Sequence, residues 1–122
     1  MRKNLLVILL CSLLLIGCSN GNNNDNGTIG YVEAKEYIIN NGAKLVDVRT
    51  STEYNDNHID GAILLTLDEI DEDKAKEVIG DYDTYVIVYC KSGVRSSQAK
   101  QKLNDLGYTR VYDLGSIDNW KE

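Results

Sequence analysis

The sequence has 122 residues, which is enough for one hydrophobic core of ordinary size but not for two. Its 19 acidic residues outnumber its 13 Lys and Arg residues, and the formal net charge is −6. A surface this acidic lacks the clustered basic side chains that displace counterions from a phosphate backbone. The composition therefore excludes a nucleic-acid-binding protein.

Residues 1–17 have the pattern of a secretory signal, in which Met1-Arg2-Lys3 is followed by an apolar run from Leu5 to Ile16. This run is shorter than the roughly 20 apolar residues that a transmembrane helix needs. The segment Leu15-Ile16-Gly17-Cys18 resembles the lipobox of bacterial lipoprotein signals, whose cysteine is acylated and becomes the first residue after cleavage. This resemblance implies a protein held on the extracytoplasmic face of the cell membrane by a lipid on Cys18. An ordinary signal peptide or an uncleaved anchor is the alternative.

Residues 18–27 comprise Cys18 and the polar stretch SNGNNNDNG, which has no apolar residue to bury and predicts a flexible tether. The folded domain is predicted to cover residues 28–122. Removal of residues 1–17 leaves 105 residues and lowers the formal net charge to −8, because Arg2 and Lys3 leave with the signal. Cys90 is then the one free thiol of the mature domain, and such a thiol is either buried and inert or kept for chemistry.

The first half of the domain alternates between helical and extended patterns. Ala34, Tyr37 and Ile38 recur at helical spacing and predict a helix from Tyr31 to Asn41 that ends at Gly42. The segments that follow are a strand over 44–48, a helical turn around Glu53-Tyr54 and a strand over 61–65.

The second half continues this alternation. Residues 68–80 predict one or two short helices, and the apolar stretch TYVIVY at 84–89 predicts a strand buried on both faces. A helix over 96–106, with Ala99, Leu103 and Leu106 on one face, ends at Gly107 and precedes a last strand over 109–114. We therefore predict an α/β domain with a central parallel sheet flanked by helices.

The stretch after the buried strand carries the strongest indication of chemistry. In an open α/β sheet, ligands bind beyond the carboxyl ends of the strands, and Cys90 follows such an end. We expect a six-residue loop from Cys90 to Arg95, in which Gly93 lets the backbone amides face the thiol. These amides and the helix dipole favour a thiolate, while Lys91 and Arg95 add positive charge. The alternative is that Cys90 is simply a small core residue.

Two motifs carry a resemblance to a known family. Cys90-Lys91-Ser92-Gly93-Val94-Arg95-Ser96 resembles the active-site loop of rhodanese-like sulfurtransferases, whose common pattern is Cys-x-x-Gly-x-Arg-Ser. Residues 45–63 are similar to the family's Asp-x-Arg, Glu-Tyr and His-Ile-x-Gly-Ala motifs; the matching residues are Asp47, Arg49, Glu53, Tyr54, His58, Ile59, Gly61 and Ala62. Leu114-Gly115 and Trp120 are similar to the closing Gly-Gly and Trp stretch. The sequence departs from the family at Asp60, where a proline is frequent, and at Ser116, which replaces the second closing glycine.

The resemblance implies a single rhodanese-like domain that moves sulfur in two steps. Cys90 would take sulfur from a small donor such as thiosulfate, hold it as a persulfide and pass it to a thiol or cyanide acceptor. The substrate would be bound by the loop residues Lys91, Ser92, Gly93, Val94 and Arg95. Structural roles are implied for Asp47, for Arg49 and Glu53 as an Arg–Glu pair, and for His58 as a hydrogen-bonded framework residue.

Two other functions are alternatives to this one. Cysteine phosphatases of related fold have five residues between Cys and Arg, whereas this sequence has four and has Tyr89 where a His commonly precedes the Cys. A non-enzymatic persulfide carrier, or a sulfur-delivery module at the cell surface, is the second alternative. The sequence shows no cluster of metal ligands and no nucleotide-binding loop, so we expect neither a metal nor another cofactor.

Overall fold

A computed structural model describes residues 27–122 of the chain. The predicted signal peptide, Cys18 and all of the predicted tether except Gly27 lie outside the described residues. The helices are α1 (Tyr31–Asn41), α2 (Ser51–Asp56), α3 (Glu72–Val78) and α4 (Val94–Leu106), and the strands are β1 (Lys44–Asp47), β2 (Ile63–Leu64), β3 (Val86–Cys90) and β4 (Val111–Ser116). A short 3₁₀ turn follows β2 at Leu67–Glu69, and another follows β4 at Ile117–Asn119. None of the helices within residues 27–122 has the length and apolar character needed to cross a membrane.

The four strands form one parallel sheet in the order β2-β1-β3-β4. β3 lies between β1 and β4, and all five of its residues are buried. Its register pairs Tyr89 with Asp47 of β1 and Cys90 with Ser116 of β4. The carboxyl ends of three neighbouring strands therefore meet around Cys90. The predicted α/β fold with a parallel sheet flanked by helices is confirmed.

The alternation of side chains along β3 builds one core on each face of the sheet. Val86, Val88 and Cys90 belong to the core beneath α3 and α4, where they join Ala99 and Leu103. The other two residues of β3, Ile87 and Tyr89, belong to the core beneath α1, together with Ala34 and Leu114. Helices thus cover both faces, which explains why TYVIVY lacks the polar alternation of a half-exposed strand.

The boundaries near Cys90 differ from the prediction. Cys90 is the last residue of β3, and α4 begins at Val94 instead of Ser96, so the expected six-residue loop contracts to residues 91–93. The contraction is possible because Gly93 adopts a left-handed conformation with φ of 96°, which turns the chain directly into the helix. The helical turn expected at Glu53-Tyr54 is the six-residue helix α2, which begins with a Thr50–Glu53 capping box.

The strand predicted over 61–65 is reduced to two residues in β2. Gly61 has φ of 84° and belongs to a turn closed by a 2.9 Å hydrogen bond from the Ala62 N–H to the Ile59 carbonyl oxygen. Gly61 and Ala62, the first residues of the predicted strand, therefore belong to a turn that reverses the direction of the chain. β4 instead extends two residues past its predicted end at Leu114, because Gly115 and Ser116 continue to pair with β3.

Candidate active site

The sulfur of Cys90 lies at the junction between β3 and α4. The residue has 0% of its surface exposed. The Gly93 N–H donates a hydrogen bond to Sγ at 3.0 Å, and the hydroxyl of the buried Ser96 lies 3.5 Å from Sγ. The thiol donates to this hydroxyl, which in turn donates to the Gly93 carbonyl oxygen at 3.1 Å. The sulfur is therefore enclosed by the three-residue loop and the first turn of the helix.

The local sequence accounts for this enclosure. A helix begins with N–H groups that have no partner inside the helix, and here they start immediately after Gly93. A residue other than glycine would be strained at φ of 96°, although a Cβ at position 93 would come no closer than 3.6 Å to Gly115. Gly93 is thus required by the backbone conformation that points these N–H groups at Cys90.

Hydrogen bonding makes the buried thiol easier to ionise. Burial is the largest single influence on the pKa of Cys90 and raises it, but hydrogen bonds from the Ser96 hydroxyl and from the N–H groups of Ser96, Gly93 and Ser92 together outweigh burial. The pKa of the thiol consequently lies below its ordinary value. A hydroxyl can rotate, so Ser96 can accept from the neutral thiol and donate to the thiolate. The arrangement favours a nucleophilic thiolate over an inert core cysteine.

Arg95 is held by a carboxylate from another helix. Its Nη1 and Nη2 donate to Oε1 and Oε2 of Glu53 at 2.7 and 3.1 Å, in the two-pronged geometry that guanidinium and carboxylate groups favour. The hydrogen bond from Arg95 is the main reason that the pKa of Glu53 falls from 4.5 to about 2. The charge of Arg95 also interacts with Cys90. Arg95 therefore both joins α4 to α2 and places a partly neutralised cation beside the thiol.

Arg49 pairs with Asp47 and not with Glu53, so the predicted Arg49–Glu53 pair is wrong. It pairs with Asp47 through Nε and Nη2, with Nη2 lying 2.8 Å from Oδ2, and both residues are buried. Its Nη2 also donates to the Asn57 carbonyl oxygen at 2.6 Å. The Arg–Glu pair of the structure is instead Arg95 with Glu53. Arg49 and Asp47 tie the end of β1 to the segment after α2, which is a structural role.

His58 is exposed and packs on α2. Its ring stacks on Tyr54 with 3.8 Å between ring centroids, and its Nδ1 lies 2.8 Å from the Tyr54 carbonyl oxygen. Within residues 27–122 no hydrogen bond joins His58 to Cys90. The geometry matches a hydrogen-bonded framework residue and provides no Cys–His dyad.

The remaining loop residues present their side chains to solvent. Lys91, Ser92 and Val94 are exposed. Lys91 also lines an open cavity of about 240 Å³; the other lining residues are Arg49, Glu53, Asp56, Asn57, Ile117 and Asp118. Arg49 and Glu53 are engaged with Asp47 and Arg95, whereas Lys91 makes no ion pair within the described residues. Lys91 is therefore the cation of this cavity that is available to an anionic ligand.

Two residues near Cys90, Ser96 and Ser116, have no role predicted from the sequence. Ser96 stands in the Cys-x-x-Gly-x-Arg-Ser pattern, and its place in the first turn of a helix was a usable indication of a donor. Ser116 was identified only as a departure from a glycine, and nothing in the linear sequence places it beside residue 91. In the structure its hydroxyl donates to the Lys91 carbonyl oxygen at 2.7 Å. Among residues 27–122 no group of three or more His, Cys, Asp or Glu side chains is placed to hold a metal ion.

Comparisons with known proteins agree with this geometry. The rhodanese-like domain family matches residues 31–122. Thiosulfate sulfurtransferase PspE of Escherichia coli strain K12 is 42% identical over 72 residues, which cover 59% of this chain and 68% of PspE. Thiosulfate sulfurtransferase GlpE of Coxiella burnetii strain RSA 331 is 32% identical over 94 residues, which cover 76% and 85% of the two chains. A solved structure of a rhodanese with anions from E. coli superposes with a TM-score of 0.60 at 34% identity, covering 63% of this chain and 89% of that one.

The family match runs from the first residue of α1 to residue 122. It therefore includes Cys90 and every group that donates a hydrogen bond to its sulfur. The chain belongs to the rhodanese-like domain family and is a rhodanese-type sulfurtransferase.

Proposed function

We propose that Cys90 is the sulfur-accepting nucleophile and that thiosulfate is a donor. The observation that carries this proposal is the ring of hydrogen-bond donors from Ser92, Gly93 and Ser96 around a buried thiol with a lowered pKa. Relatives named thiosulfate sulfurtransferases support the choice of donor. The activity therefore reduces to two displacements at sulfur.

In the first step the Cys90 thiolate attacks the outer sulfur of thiosulfate. A bond forms between the two sulfur atoms, the bond from that outer sulfur to the sulfite sulfur breaks, and sulfite leaves with its electron pair. Cys90 then carries a persulfide. In the second step a thiolate or cyanide attacks the outer sulfur of this persulfide, forms a new persulfide or thiocyanate and returns Cys90 as a thiolate. Neither step needs an external oxidant or reductant.

The groups around Cys90 contribute to substrate binding in different ways. The N–H groups at the start of α4 are fixed by the backbone and stabilise negative charge on the sulfur without reorganising. Lys91 attracts the anionic donor from the cavity of about 240 Å³ that it lines. Arg95 contributes a smaller field, because Glu53 neutralises part of its charge. Distant surface carboxylates oppose thiosulfate only weakly, because charges are screened over about 10 Å at ordinary salt.

The test is the intact mass of the protein after incubation with thiosulfate. We expect the wild type to gain one sulfur atom, mapped to Cys90, and to lose it to cyanide with formation of thiocyanate. Cys90→Ser should gain none. Ser97→Ala is a matched control, because Ser97 is exposed on α4 and gives Cys90 no hydrogen bond in the described structure. Sulfur loading by Cys90→Ser would refute the mechanism.

A non-enzymatic persulfide carrier is the second candidate. Lys91, Ser92 and Val94 are exposed beside Cys90, so a partner protein could dock on the loop that holds the persulfide. A carrier that delivers sulfur to a partner protein would load normally but release sulfur slowly to cyanide or small thiols. Steady-state turnover with these small acceptors separates the two, because rapid turnover contradicts the carrier role.

We also propose that a lipid on Cys18 anchors the domain to the extracytoplasmic face of the cell membrane. The support is the lipobox-like segment, followed by a polar stretch that ends where Thr28 pairs with Asp113 beside β4. We expect the wild type to partition into a detergent phase and Cys18→Ser to remain in the aqueous phase, with Cys11→Ser as the matched control. Equal partitioning of wild type and Cys18→Ser, or retention of residues 1–17 in the mature protein, would contradict this proposal.

A further inference from the structure

The hydroxyl of Ser116 connects the segment after Cys90 to the end of the chain. Ser116 is the last residue of β4 and pairs in register with Cys90. Its hydroxyl donates to the Lys91 carbonyl oxygen at 2.7 Å and accepts from the Asp118 N–H at 3.1 Å. One half-buried side chain thus joins the loop over residues 91–93 to the 3₁₀ turn over residues 117–119.

This contact also fixes the direction of a neighbouring N–H group. The carbonyl of Lys91 and the N–H of Ser92 belong to one peptide unit, and in a trans peptide the two point in opposite directions. The described chain has no cis peptide bond. When Ser116 holds the Lys91 carbonyl on one side, the Ser92 N–H must point to the other side, towards Cys90, whose pKa it helps to lower. The same restraint acts through the short loop on Gly93, whose N–H donates to Sγ at 3.0 Å.

We propose that Ser116 is a positioning residue that holds the Lys91–Ser92 peptide so that the Ser92 N–H faces Cys90. The inference rests on the proposed function, in which Cys90 is the nucleophile. The Ser116 hydroxyl bonds to the Lys91 carbonyl oxygen and the Asp118 N–H and not to the sulfur, so it acts through the backbone of the loop. Backbone donors have no side chain to be locked by packing, so a peptide at a three-residue turn needs a restraint of this kind.

Two of the charged groups around the loop are held by partners other than the Ser116 hydroxyl. Arg95 is paired with Glu53 of α2, and Arg49 is paired with Asp47 at the end of β1. Three further charged groups line the cavity beside the loop: Lys91, Asp56 and Asp118. The backbone of Asp118 donates to the Ser116 hydroxyl, so the effect of Ser116→Ala is measured again in an Asp118→Asn background. A shift of equal size there reports the orientation of the Lys91–Ser92 peptide and not a displaced charge.

The experiment measures the rate of Cys90 alkylation by iodoacetamide as a function of pH, with peptide mapping to select Cys90. For Ser116→Ala we expect the midpoint of the profile to move to higher pH. The rate constant below the midpoint should fall about three- to tenfold, because a hydrogen bond to an ionised group is strong and a loosened peptide loses part of it. Ser116→Thr keeps the hydroxyl and should retain the wild-type midpoint, as should the control Ser97→Ala.

Two further measurements keep the test decisive. Ser116→Gly also lacks the hydroxyl and should show the same shift, and the Ser92 amide proton should exchange faster with solvent in both variants. An unchanged midpoint in either folded variant, or a shift in Ser116→Thr equal to that in Ser116→Ala, would overturn the proposal. Alkylation needs no sulfur donor, so its profile tests Ser116 independently. Failure of thiosulfate loading in the wild type would instead refute the proposed function.

Discussion

The ion pair between Arg95 and Glu53 should have opposite effects on stability and on the reactivity of Cys90. We consider Glu53→Gln, which keeps the size of the side chain and one oxygen acceptor but removes its charge. A fall in the pKa of Glu53 from 4.5 to about 2 corresponds to about 3 kcal/mol of folding free energy for a pair fully shielded from water. The two side chains are 32% and 29% exposed, so solvent screening reduces the expected loss to about 1 kcal/mol.

The direction of the pKa shift of Glu53 determines how its contribution to stability changes with pH. The pKa of Glu53 is lower in the folded protein than its ordinary value, so the carboxylate contributes its full stabilisation above about pH 4.5 and loses it as the pH falls towards 2. Urea unfolding at pH 7 should therefore show Glu53→Gln to be about 1 kcal/mol less stable than the wild type. The difference should shrink as the pH falls from 4.5 to 2. A difference of equal size at pH 7 and pH 2 would refute the ion-pair explanation.

The same substitution should make Cys90 more reactive. Arg95 interacts with Cys90, and removing the charge of Glu53 leaves more of the guanidinium field for the thiolate. The alkylation midpoint of Cys90 should consequently move to lower pH even though the protein is less stable. Glu77→Gln is the matched control, since Glu77 forms only an exposed 3.6 Å pair with Lys74 and should change neither quantity. A higher midpoint in Glu53→Gln would show that Arg95 acts on Cys90 by geometry alone.

Three further substitutions probe the site. Arg95→Ala should slow thiosulfate loading more than Lys91→Ala does, because loss of Arg95 removes the link from α4 to α2 and leaves the Glu53 carboxylate unpaired. Equal second-order loading rates in the two variants would contradict this ranking. Ser96→Ala should raise the pKa of Cys90 and lower the free energy of unfolding in urea by about 1 kcal/mol, because the buried hydroxyl bonds both Sγ and the Gly93 carbonyl oxygen. An unchanged alkylation midpoint would refute the role of Ser96 as a donor to the thiolate. Cys90→Ser should alter the free energy of unfolding by only about 1 kcal/mol, since thiol and hydroxyl are similar in size. If this variant is unfolded at room temperature, Cys90 is chiefly a core residue.

The features that the sequence predicts well are encoded by neighbouring residues. The buried strand β3 follows from an uninterrupted apolar run, and α1 ends at Gly42, which takes a left-handed conformation with φ of 63°. The sequence supports the proposal of Cys90 as nucleophile because Gly93, Arg95 and Ser96 lie within six residues of it. The apolar run at 84–89 does not indicate where β3 ends, because a cysteine extends a buried strand as readily as it begins a loop.

The features that the sequence does not predict depend on contacts across the fold. Glu53 and Arg95 are 42 positions apart, and the choice of Arg95 instead of Arg49 as partner depends on how α2 packs beside α4. Asp47 is two residues from Arg49 and satisfies it locally, which leaves Glu53 available. Ser116 reaches Lys91 only because β3 and β4 are neighbours in the sheet order. Linear patterns contain none of this information.

These contacts explain how a fully buried thiol can be the nucleophile that we propose. Placing Cys90 at the end of the central strand removes it from water, and this alone raises its pKa. The turn that buries it also starts α4 within four residues, so the N–H groups of Ser92, Gly93 and Ser96 replace the lost water. Because these donors belong to the backbone, their directions depend on what holds the loop: the left-handed Gly93, the Ser96 hydroxyl and the Ser116 hydroxyl. The reactivity of the site should therefore be more sensitive to these three small residues than to the exposed charge of Lys91.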